Sequence, residues 1–183
     1  MKKLFTLTIA LLGVSSISHA QGYNGYFDYK VLLGYTNVGG NSGIEYQNEF
    51  RRSDLFSWGT QFTLLLNAND KTDADSFEKT FKFLDSCDGG GFVRFHFTEA
   101  LNLRENVDPY LGADFTVRSL GAHLGLKYSF SDVIGVYAMY KQSFSSSFMG
   151  DTKLSEDADE YTPSYFGKKA ALSVGITFRL YGN

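Results

Sequence analysis

From Lys169 to Leu180 the chain alternates with period two and without a fault. Ala170, Leu172, Val174, Ile176, Phe178 and Leu180 share one face; Lys169, Ala171, Ser173, Gly175, Thr177 and Arg179 share the other. Such alternation marks a strand with one apolar and one polar side. It constrains the whole fold because it recurs along the chain. Phe27, Tyr29, Val31, Leu33 and Tyr35 oppose Asp28, Lys30, Leu32, Gly34 and Thr36. The same holds for Phe56 to Leu66, Phe92 to Phe97, Tyr110 to Val117 and Gly121 to Phe130. Two further segments carry a polar residue on the apolar side: Ile44 to Arg51 with Asn48, and Ile134 to Phe144 with Gln142. This makes about eight strands, and no helix-like segment is long enough to cover a sheet. The count predicts an all-β fold, an eight-stranded antiparallel up-and-down β-barrel.

The connections support an up-and-down order. Turns at Val38 to Ser42, Ser53-Asp54, Arg118 to Leu120 and Ser131 to Val133 are short, whereas Ala68 to Gly89 and Met149 to Lys168 are long. Both long segments fall at the end opposite the N-terminus, and the ten-residue connection Glu99 to Asp108 is the single sizeable one at the near end. Short turns at one end and long loops at the other is the arrangement of outer-membrane barrels. Within the first, Asp75 and Glu78 offer a capping pair for a short helix, or Phe81 and Phe83 extend the next strand; an irregular loop feeding a strand from near Asp88 is the reading adopted.

The N-terminus gives an address. Lys2 and Lys3, the apolar run Leu4 to Val14, and Ser18-His19-Ala20 form the three parts of a secretory signal, with cleavage expected after Ala20 and a mature barrel domain over 21–183. The apolar run is too short to span a bilayer core of roughly 30 Å. The mature chain keeps fifteen of the 17 basic residues against 20 acidic ones, a formal net charge of −5, which gives no reason to expect a nucleic-acid partner. The lone Cys87 excludes an internal disulfide.

Alternation does not say which face is inside. A soluble lipocalin-like barrel turns its apolar face inward around a ligand; a membrane barrel shows it to lipid. Three features favour lipid. Gly34, Gly59, Gly112, Gly121, Gly125, Gly135 and Gly175 all lie on the polar face, where small residues make room in the narrow lumen of an eight-stranded barrel. The apolar face ends in aromatics such as Tyr29, Phe56, Tyr128 and Phe178, as interfacial girdles do. Backbone in hydrocarbon must be fully paired, which without a helix requires a closed barrel.

On this reading the lumen receives Asp28, Lys30, Glu45, Glu49, Arg51, Arg94, His96, Asp114, His123, Lys127, Lys141 and Arg179. Both signs occur, so a salt-bridged, hydrogen-bonded plug with bound water is expected; an unpaired buried charge costs several kcal/mol. Neither histidine is flanked by a serine two residues on, which leaves a catalytic arrangement without support from spacing. A pore needs a wider lumen. The scattered His and Cys residues suggest no metal site and no cofactor, and the acidic run Asp151 to Glu160 reads as a solvated loop, with loose calcium binding as the rival.

These residues resemble small eight-stranded outer-membrane β-barrels of the OmpA/OmpX kind, and most closely an uncharacterised group of such barrels. The shared pattern is "VDPYLGADFTVRSLGAHLGLKYSFSDVIGVYA", Val107 to Ala138. Ser173, Gly175, Phe178 and Leu180 are similar to the insertion signal of such barrels, although Tyr181-Gly182-Asn183 extend beyond it. The resemblance implies a monomeric transmembrane barrel, assembly by the barrel-insertion machinery, outer-membrane lipid as surroundings and a bacterial outer-membrane location. It carries no activity. A structural or surface-interaction role is expected, with an unidentified partner met through loops 68–89 and 149–168. The alternatives are the secreted lipocalin-like binder and a lipid-modifying outer-membrane enzyme.

Overall fold

The tightest turn shows how local chemistry sets the register. Gly39 and Gly40 both have positive φ, 57° and 94°, the conformation a two-residue hairpin needs to match strand twist and one that glycine adopts without strain. It joins β1 (Asp28–Val38) to β2 (Asn41–Arg51), pairing Val38 with Asn41 and Asp28 with Arg51. The computed structural model describes residues 28–67, 83–147, 151–153, 161–163 and 165–181. The expected leader over residues 1–20, Phe27 and most of the segment 70–88 lie outside them.

The alternating segments continue as β3 (Phe56–Leu65), β4 (Cys87–His96), β5 (Val107–Thr116), β6 (Ser119–Ser129) and β7 (Ile134–Ser146). After two short strands, β8 (Asp151–Lys153) and β9 (Tyr161–Pro163), comes β10 (Ala170–Tyr181). The eight long strands form a closed antiparallel barrel in the order β1-β10-β7-β6-β5-β4-β3-β2. Closure is made by β1 on β10, with Gly34 opposite Gly175 and Leu33 opposite Ile176. The short strands pair only with each other, as a separate two-stranded sheet. They were not anticipated, and neither was the 3-10 turn Phe83–Ser86 that leads into β4.

The apolar face points outward. Leu33, Tyr35, Trp58, Phe62, Phe95, Leu111, Phe115, Leu124, Leu172, Val174 and Ile176 are all exposed, while the charged series is buried. The lipocalin-like alternative is therefore corrected: its ligand would need the apolar side chains around an internal cavity, and they stand outside. Asn48 and Gln142, the two breaks in the pattern, are outward residues with partners of their own. Asn48 Oδ1 accepts from the hydroxyls of Tyr29 (2.8 Å) and Tyr46 (2.7 Å), and Gln142 Oε1 from that of Tyr140 (3.0 Å).

Gly34, Gly59, Gly112, Gly125 and Gly175 stand where a large neighbour crosses the lumen. A Cβ on Gly125 would run into the Tyr110 hydroxyl, and one on Gly59 into the Phe92 ring. The middle of the barrel is consequently filled by Leu32, Phe92, Tyr110, Tyr137 and Met139, all buried.

Candidate functional site: the filled lumen

The charged side chains of the lumen converge from seven strands on a few carboxylates. Nearest the chain termini, Asp28 of β1 meets Lys30 Nζ at 3.1 Å and Arg179 Nε of β10 at 3.0 Å. Next to it Asp108 takes Arg51 Nη1 (3.2 Å), His96 Nδ1 (2.8 Å) and the Thr98 hydroxyl (3.2 Å). Glu49 is the deepest of the three. Arg94 Nη1 donates to its Oε2 at 2.6 Å, Lys127 Nζ to its Oε1 at 2.6 Å, and Ser57 Oγ lies 3.0 Å from Oε1.

Arg94, fully buried, is the keystone of the layer. Its three nitrogens reach three different acceptors: Glu49 from Nη1, Gln47 Oε1 from Nη2 at 2.6 Å, and His123 Nε2 from Nε at 2.9 Å. The guanidinium carbon Cζ lies 4.0 Å from the Phe92 ring centroid and 4.5 Å from that of Tyr110, a cation–π arrangement that replaces lost hydration. Arginine Nε–H can only donate, so His123 accepts at Nε2 and carries its proton on Nδ1. That proton goes to Asp114 Oδ2 at 2.8 Å. Asp114 also accepts from Gln61 Nε2 at 2.9 Å, with Lys141 Nζ farther off at 3.7 Å.

Ser57, His96 and Asp108 stand in the order of a hydrolase relay: Oγ to Nε2 is 2.8 Å and Nδ1 to Oδ1 is 2.8 Å. Sequence spacing missed this alignment because the three come from β3, β4 and β5. The geometry does not serve a nucleophile. Ser57 is 0% exposed, so a substrate carbonyl has no approach, and its single proton is shared between His96 and Glu49. What the trio does chemically is tie three strands with one directed hydrogen-bond chain.

Toward the opposite mouth the lumen changes character. Glu45 Oε1 accepts from Gln47 Nε2 (2.6 Å) and the Tyr137 hydroxyl (3.2 Å), and its Oε2 from Ser173 Oγ (3.2 Å). Asp88 accepts from Thr116 Oγ1 (2.7 Å) and the Arg118 backbone N–H (3.1 Å). Between them lies a cavity of about 20 Å³, lined by Thr36, Glu45, Thr63, Asp88, Lys141 and Ser143 among others, which has room for about one water.

All twelve charged residues expected inside thus face the lumen, and Lys141 and Arg179 keep only slight exposure. Asp108 and Gln47 join the same network without having been expected there; Ser57 and Gln61 join it from the face that alternation had marked as polar, and Asp88 stands apart at the mouth with Thr116 and Ser119. The signal for Asp108 was present, since counting back by twos from Asp114 through Gly112 and Tyr110 reaches it; it had been assigned to the connection before the strand. Of the insertion-signal residues, Ser173 and Gly175 face the lumen, where Ser173 Oγ also bonds Thr36 Oγ1 at 2.9 Å, and Leu180 is exposed outside. Among the described residues no group of three or more His, Cys, Asp or Glu is placed to hold a metal ion.

Over residues 13–170 the chain matches a family of unknown function (DUF6646), and it belongs to that family. No curated protein matches it.

Proposed function

We propose that the chain is an integral outer-membrane protein of the OmpA/OmpX kind: a transmembrane β-barrel with a filled polar lumen, serving a structural or surface-interaction role through its long loops. One observation carries this reading. Large apolar side chains surround the barrel on the outside while the charges are buried inside, the inverse of a water-soluble barrel. Strands of 10 to 13 residues, tilted about 40°, would carry an apolar band about 25 Å tall. At its terminal end the band has aromatic neighbours in contact, Tyr29 with Phe50 at 4.8 Å and Phe50 with Trp58 at 4.9 Å, which suits an interfacial girdle.

The surroundings would be outer-membrane lipid, reached with the barrel-insertion machinery after removal of the leader, and the protein would act as a monomer. Membrane fractionation with an unboiled and a boiled gel tests the reading. The expected result is recovery in the outer-membrane fraction and a mobility that changes on boiling. Recovery as a soluble monomer without detergent would overturn it. The lipid-modifying alternative has the Ser57–His96–Asp108 alignment in its favour and the burial of Ser57 against it. Separate substitution of His96 and His123 is expected to leave outer-membrane lipid composition unchanged.

A further inference from the structure

At the long-loop mouth the inward faces of three strands are apolar. On β1 the series Asp28, Lys30, Leu32, Gly34, Thr36 ends in Val38; on β3 the series Ser57, Gly59, Gln61, Thr63 ends in Leu65. On β10 the mouth position is Ala171, opposite Val38. These apolar residues form an arc on one side of the mouth, and Gly43 of β2, whose added Cβ would come within 3.1 Å of Leu65 Cδ2, leaves the arc open between them. The other side of the same mouth is polar, with Asp88, Ser119 and Ser143.

A polar lumen has no use for an apolar rim unless something sits on it. Phe166 does: it is 5% exposed and packs with Val38, Leu65 and Ala171, with Tyr165 against the cluster. Its backbone is not part of the barrel ladder. The segment is held at its C-terminal side by the Ser143 N–H to Lys169 carbonyl bond (3.0 Å) and the Gly39 N–H to Ala170 carbonyl bond (2.9 Å), with Lys168 at a φ of 54° making the bend. Directly beneath lies the cavity between Glu45 and Asp88, of which Phe166 is part of the wall. Below that cavity the lumen is solid, because Arg94 and its partners fill the cross-section.

We propose that Phe166 is a displaceable lid over a blind polar vestibule. With the lid lifted, small polar solutes enter from the long-loop end as far as Ser143 and Glu45 and stop at the Arg94 layer. Lifting Phe166 off its apolar seat leaves every pairing of the barrel strands intact, so a local opening is far cheaper than opening the barrel, whose strands are paired on both edges. The inference does not depend on the membrane reading, since it concerns only the mouth of the closed barrel.

The test uses single cysteines in a Cys87→Ser background and a charged methanethiosulfonate reagent on the purified, folded barrel. Ser143→Cys reports on the vestibule and Ser57→Cys on the floor beneath it. With Phe166 in place, Ser143→Cys is expected to react slowly. Phe166→Ala removes most of the lid's packing and is expected to speed that reaction more than about tenfold, with Ser57→Cys unreactive throughout. Equal Ser143→Cys rates with and without Phe166 would overturn the lid. Labelling of Ser57→Cys together with Ser143→Cys would overturn the blind floor. Native mobility on an unboiled gel establishes folding for each variant. If Phe166→Ala fails that check, Phe166→Leu decides, with a smaller rise in rate expected and no rise overturning the lid.

Discussion

At the scale of single residues, the lumen depends on matching one planar donor set to three fixed acceptors. Removing Arg94 would leave Gln47 and His123 without their donor and Glu49 with Lys127 as its remaining strong partner. Arg94→Met is therefore expected to lower stability by about 3–5 kcal/mol, the usual cost of breaking a buried charge pair from one side, read as a lower urea midpoint. Arg94→Lys keeps the charge but not the fork, and it is expected to recover less than half of that loss. Full recovery would show that charge alone matters. Gly125→Ala tests the packing argument separately. Its Cβ would collide with Tyr110 and lie 2.8 Å from the Ala138 carbonyl oxygen, so a loss of about 1–3 kcal/mol is expected from overpacking. These roles were only partly readable in the sequence. The alternation placed Arg94 and His123 inside, but not that they bond each other; that depends on how β4 and β6 come together across β5.

At the scale of elements, period two carried nearly all the information, and it failed where there was too little of it. Strands of three residues such as β8 and β9 contain barely one repeat, so nothing distinguished them from loop. β4 opens with Cys87, Asp88 and three glycines, which have almost no side-chain pattern to read. The outward positions of β6, by contrast, are unambiguous: Leu120, Ala122, Leu124, Leu126 and Tyr128. They allow a test that separates lipid from water as the outer medium. Leu124 lies midway along this series and is 57% exposed. In bilayers Leu124→Arg is expected to cost about 2–4 kcal/mol and Tyr128→Arg, near the rim, about 0–1. A water-facing strand would show no such depth dependence, so equal and small effects at both positions, measured by unfolding from liposomes, would count against the membrane reading.

For the whole molecule, the partition of charge is the most informative feature. Inside the barrel Asp28, Glu45, Glu49, Asp88, Asp108 and Asp114 are matched in number by Lys30, Arg51, Arg94, Lys127, Lys141 and Arg179. Over its strands the lumen is formally neutral, as a low-dielectric interior requires if its charges are to persist; Arg118, also buried, lies in the turn between β5 and β6 and pairs with Asp85. Arg52, Arg104, Arg118 and Lys169 likewise balance Asp54, Glu99, Glu105 and Asp132. Counted without Lys2 and Lys3, the whole formal charge of −5 therefore belongs to the connections 68–86 and 149–168, which both leave the barrel at one end. Deleting Asp151 to Pro163 removes five acidic residues and Lys153, changing that charge to −1. The deleted strands pair only with each other, and Phe166 with its seat lies beyond the cut, so the unboiled barrel is expected to keep its mobility shift on boiling. What should change is electrostatic. Retention of the intact barrel on a polylysine-coated surface is expected to fall as salt is raised and the screening length shortens to about 8 Å near 0.15 M. The deletion should lose most of that retention already at low salt. Unchanged retention would mean that this loop does not present its charge at the molecular surface, and a partner would then have to be sought at the connection 68–86 instead.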